Sequence, residues 1–211
     1  MTPLEIYRRA IMAIWLAAGQ DIEKIPATPE AYYQALPTIV ETYGYAAAVA
    51  ASDFYDAMRQ AAGVEDFFEA VLPELDNLGT DELIGWAAAT ATTSETFPAL
   101  VQAGAQRRIA NFARDTITES SYQDPKSLGW MRIGSPKCSF CAMLISRGAV
   151  YSKRGATFAS HDNCDCQAVP AFDRSQVRSV NREFVASARR RSQATTDADR
   201  SRAREWIAEN L

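Results

Sequence analysis

A chain of 211 residues with 47% apolar and 23% charged residues is neither disordered nor fibrous. It has room for one domain with a full core, or for a helical domain plus a small module. The net charge of −4 hides a split: residues 1–100 carry 4 Lys/Arg against 15 Asp/Glu, residues 101–172 carry 9 against 5, and residues 173–211 carry 9 against 6. An acidic front and a basic rear suit two different neighbours, one of them nucleic acid; solvated helix faces of opposite sign would read the same.

Thr2 before Pro3 is a helix cap followed by a first-turn proline, so the apolar run "AIMAIWLAAG" is predicted as a folded helix. Arg8 and Arg9 ahead of it imitate a signal peptide, but Glu5 precedes them and no small-residue cleavage site follows. No run reaches the roughly 20 apolar residues that a membrane span requires.

Thr28-Pro29 starts a second helix. Leu36, Val40, Tyr43, Ala47, Ala50, Phe54, Met58 and Ala61 follow steps of three and four, one apolar stripe ended by Gly63. Pro37 lies in its first turns or marks a kink. Residues 64–78 carry another short amphipathic pattern, interrupted at Pro73 and stopped by Gly79. Thr80 and Asp81 open a helix over "DELIGWAAATAT", and Ser94 with Glu95 open one through "FPALVQAGAQRRIANFARDTITES".

After Ser121 the character changes. "SYQDPKSLG" is turn-rich, and "WMRI", "GAVY" and "CQAVPAF" are short strand candidates. The expected class is mainly α: a helical domain over 1–120, a small Cys/His α+β module over 121–172, and an Arg-rich helical tail over 173–211. The tail has an apolar pattern at Val177, Val180, Phe184 and Ala188.

All four cysteines and the one histidine fall within "CSFCAMLISRGAVYSKRGATFASHDNCDC", residues 138–166. The spacing is Cys138-x2-Cys141, then His161-x2-Cys164-x-Cys166, two chelating pairs joined by a hairpin-length segment. That pattern suits tetrahedral zinc, and a module too small to bury a core gains stability from the metal. Five candidates serve four positions. Such a closed site leaves no place for water, so the zinc is read as structural. Disulfides are the rival, with three possible pairings, all but the crossed ones very tight. A cysteine nucleophile activated by His161 would leave three cysteines unexplained. The echo of zinc deaminases in "SPKCSFC" lacks the upstream histidine and glutamate, and a thioredoxin-like site lacks its βαβ setting.

The segments "CSFC", "SRGAVY", "SHDNCDC" and "AVPAF" together resemble the MuF-like minor head proteins of tailed phages, in the form found in phages of actinobacteria. Cys138, Cys141, His161, Cys164 and Cys166 match that pattern position by position, and Gly148 falls in the hairpin. "LPTIVETYGYAAAVAASDFYDAMRQAAGV" resembles the helical front of the same family. Two positions depart from the broader family: Ser160 stands where proline is usual, and Asp165 where arginine is usual. The resemblance implies a non-enzymatic structural protein of the virion, made in the host cytoplasm and held inside the capsid. Its implied partners are the portal protein and the inner capsid, with packaged double-stranded DNA close by. It implies roles in head assembly and in DNA packaging or ejection, and neither a membrane nor a small-molecule substrate. The rival functions are a zinc-dependent or thiol hydrolase of the head-maturation kind and a plain nucleic-acid-binding zinc module.

Arg107, Arg108, Arg114 and the later Arg189, Arg190 and Arg191 are candidate phosphate contacts. Tyr32, Tyr33, Tyr43, Phe54, Phe67 and Phe68 read as core or interface residues, and Trp130 as packing over the clasp.

Overall fold

Helix α1 (Pro3–Glu23) opens on a complete capping box, in which the Glu5 backbone N–H donates to Thr2 Oγ1 and the Thr2 N–H donates to Glu5 Oε2. The computed structural model describes residues 1–74, 78–134, 139–146, 148, 151, 158 and 160–176. Within them the first helix is packed, burying Tyr7, Ile11, Ala18 and Ile22. Helix α2 (Pro29–Ala61) takes its cap from Thr28 and runs through Pro37 as one element. It ends where the glycine predicts: Val64 N–H reaches Arg59 O, Gly63 N–H reaches Gln60 O, and Gly63 sits at φ +71°. This is a Schellman turn, which needs a left-handed residue at that position.

Helices α3 (Thr80–Thr90) and α4 (Thr96–Gln123) follow. A strand, β1 (Gly129–Ile133), leads to a short helix, α5 (Ser139–Ser146), and the chain returns along β2 (Gln167–Ala171) to a 3-10 turn at Arg174–Gln176. The strands pair antiparallel with Gly129 opposite Ala171 and Ile133 opposite Gln167. "WMRI" and "CQAVPAF" therefore form strands. Of "GAVY" only Gly148 and Tyr151 are described, and Tyr151 bridges to Trp130.

Helix α4 is the centre of the molecule. It packs against α1, α2 and α3 and against both strands, and one apolar core runs from Tyr7 and Leu36 through Ile109 to Cys166 and Val169. Two glycines set how closely the helices approach. A Cβ on Gly44 would lie 2.6 Å from the Phe112 ring, and one on Gly104 would lie 2.3 Å from Leu83 Cδ1. No helix among the described residues is long and apolar enough to cross a membrane.

The segment expected to carry an amphipathic pattern at 64–78 is not helical where it is described, over 64–74. Its backbone is satisfied elsewhere: Arg59 donates to Asp66 O, and Val71 N–H donates to Ser120 Oγ at 2.8 Å. Arg59 also pairs with Asp124, both side chains buried, and Tyr55 OH donates to the same carboxylate at 3.1 Å. Desolvating such a pair is costly, and removing one partner costs more, about 3–5 kcal/mol.

Candidate metal centre

Cys141 lies in the first turn of α5, buried beneath the return segment. His161 and Cys164 face it across a tight turn closed by Cys164 N–H to His161 O at 3.3 Å. Asn163 supplies the turn's left-handed residue at φ +60°, a conformation that asparagine tolerates better than most. His161 Nδ1 donates to the Asp162 carbonyl at 2.7 Å, which leaves Nε2 as the lone-pair nitrogen, 3.3 Å from Cys141 Sγ. The ligating atoms of Cys141, His161 and Cys164 all lie within 4.8 Å of one another. In a tetrahedral zinc site the donors stand about 3.3–3.8 Å apart; the Cys141–His161 pair has that spacing, and two sulfurs with one nitrogen suit such an ion by softness.

Cys164 and Cys166 are linked. The Cys166 side chain donates to the Cys164 sulfur, pushing the Cys164 thiol down to about 5, with Arg114 and Cys141 adding to the effect. Cys166 itself is pushed up, chiefly by that hydrogen bond and by burial. A thiol that readily ionises is what a soft cation needs as ligand. Cys164 and Cys166 are free thiols. Cys138 lies outside the described residues.

The second knuckle rests on α4. Arg114 Nε donates to Cys166 O at 3.0 Å, Nη2 to Cys164 O at 2.7 Å, and Nη1 to Asn111 Oδ1 at 2.9 Å. Ser160 Oγ reaches the same Asn111 oxygen at 3.1 Å, and Arg107 pairs with Asp162 at 3.0 Å. Arg107, Asn111 and Arg114 fall at i, i+4 and i+7, so one stripe of α4 carries the whole turn from Ser160 to Cys166. A cleft of about 180 Å³ opens beside it, lined by Trp15, Gln106, Arg107, Asn163, Cys164 and Asp165.

These placements revise the expected phosphate contacts. Arg114 is 1% exposed and its donors are taken by Cys164, Cys166 and Asn111, so an external phosphate cannot reach it. Arg108 donates to the carbonyls of Leu78, Gly79 and Gly104 and serves the start of α3. Arg107 is half-buried and already holds Asp162. Arg189, Arg190 and Arg191 lie outside the described residues. Trp130 is buried as expected, stacked on Tyr151 at 4.2 Å and tilted against Phe158 at 5.5 Å. The residue that the sequence misplaced is Arg114. Asn111 carries no signal in the sequence beyond the i, i+4, i+7 spacing of Arg107, Asn111 and Arg114, and Ser160 stands out there only as a departure from the family's usual proline.

The geometry defines a helical protein whose central helix carries a cysteine–histidine clasp able to hold a metal ion. A family model described as VG15 protein matches residues 6–200, and the chain belongs to that family. It is a viral family, which points to a bacteriophage protein. No curated protein and no solved structure matches.

Proposed function

We propose that the chain is a structural minor head protein of a tailed phage, held by the portal and inner capsid inside the head, without catalytic chemistry. It serves head assembly and the packaging or ejection of DNA. The observation that carries this is the convergence of Cys141, His161 and Cys164 on one point, the arrangement that the MuF-like pattern requires, in a chain of viral family. The metal is zinc and its role is structural. Cys141, His161 and Cys164 supply three ligands, and Cys138 or Cys166 supplies the fourth. The zinc, when bound, cross-links α5 to the turn that Arg114 of α4 holds.

The charge split orients the molecule. Packaged DNA repels the acidic residues 1–100 and attracts the basic rear, so the helical front faces protein and residues 101–211 lie nearer the DNA. Crosslinking inside filled heads, with mapping of the joined residues, tests both statements. Residues 1–100 should join to portal or inner-wall protein. Absence of the chain from purified particles would remove the head assignment, and crosslinks from residues 1–100 mainly to DNA would reverse the orientation. Turnover of a head protein by the purified chain, lost on mutating His161, would favour a hydrolase instead.

A further inference from the structure

Phe67 leaves 92% of its surface open, more than any other large apolar residue described, including Met1 at 79%. Its neighbour Phe68 behaves differently, packing on Tyr55 at 5.8 Å and beneath the Arg59 guanidinium at 5.3 Å. A lone exposed apolar residue needs no explanation, but this one stands on a backbone fixed on both sides. Arg59 donates to Asp66 O, Lys126 pairs with the Asp66 carboxylate at 2.8 Å, Ala70 is buried, and Ser120 holds Val71. A free ring on a fixed backbone is already ordered for contact, so association costs little further entropy.

What surrounds the ring identifies the partner. Glu65, Glu69 and Glu74 are exposed along the same segment, and so is Leu72. Carboxylates at this density repel phosphate, which disfavours DNA and anionic membranes. They complement a protein surface with an apolar floor and a rim of Lys or Arg.

We propose that residues 65–74 form a docking segment whose Phe67 ring enters an apolar, Lys/Arg-rimmed pocket on a different protein. The proposal rests on the head assignment only for where the partner is sought. A photoreactive benzophenone side chain at position 67 of the full chain, irradiated in cells assembling phage, tests it. The expected product joins position 67 to one peptide of one other protein, an apolar stretch with Lys or Arg beside it. Its yield should fall by about tenfold or more when Glu65→Lys and Glu69→Lys are combined, since like charges then face each other. The Phe67→Ser chain should lose the partner to a similar degree while its thermal unfolding is unchanged, because the ring touches nothing it would unfold. No crosslink, crosslinks scattered over many proteins, crosslinks only to DNA or to a second copy of this chain, or a yield indifferent to charge reversal would each overturn the proposal. A single basic partner that is not a virion protein would keep the docking segment and remove the head assignment. A chain present in particles but silent at position 67 would do the reverse.

Discussion

Where α2 meets α4, Gly44 lies so near the flat ring of Phe112 that a Cβ has no room between the helices. Where α4 meets the clasp, one guanidinium holds two carbonyls and an amide oxygen, and three ligating side chains converge where a cation fits. Both are parts of a single core, yet they fail in different ways. Burial is spread over many side chains, so the helices lose stability in small steps. The clasp concentrates its order in a few polar atoms, so one atom decides whether it stands.

The largest expected effect separates the two regions outright. Cys141→Ser should lower zinc from about one per chain to near none, and amides in β1, α5 and β2 should then exchange freely. Amides of α1 and α2 should stay protected, since their apolar faces are untouched. Loss of protection throughout would mean that the two regions share one fate and that the contrast is false. Next in size, Arg114→Met leaves the carbonyls of Cys164 and Cys166 without donors. It should cost about 2–4 kcal/mol in urea unfolding and weaken zinc in chelator competition by about 10–100-fold. Arg114→Lys should rescue little, because an ammonium cannot reproduce the fork. The smallest effect probes the helices alone: Gly104→Ala drives a methyl into Leu83 and should cost about 1–3 kcal/mol while zinc affinity stays unchanged. A change in zinc affinity there would show that α4 transmits strain to the clasp.

Local chemistry made much of this legible beforehand. Thr2-Pro3, Thr28-Pro29 and Gly63 mark helix ends through hydrogen bonds that span only a few residues, and the helices begin or end there. Knuckle spacing is local too, and His161 and Cys164 meet across their own turn. The buried face of α2 is wider than its apolar stripe predicts. Ala48, Ala51 and Tyr55 are buried beside that stripe because α2 is covered by α1, α3 and α4 at once. Gly44 and Gly104 carried a usable signal, since glycine inside a helix costs about 1 kcal/mol and calls for a packing reason. Arg114 could not be placed in this way. A basic helix face looks like a surface until β2 is known to lie across it, a fact set by a return of some fifty residues. Phe67 and Phe68 are adjacent and chemically identical, so only the path of the chain decides which ring is covered.

The buried pairing of Arg59 with Asp124 also bears on how the chain is made. Arg59 is synthesised at the end of α2, and its carboxylate partner comes one residue after α4 ends. A nascent chain that has reached only Gln123 must keep the Arg59 guanidinium in water, because closing the core around it would strand an unpaired charge. The helical region therefore cannot close fully during translation until Asp124 has been added and has left the ribosome. The step that completes the helices is the same one that delivers the start of the strand leading to the clasp.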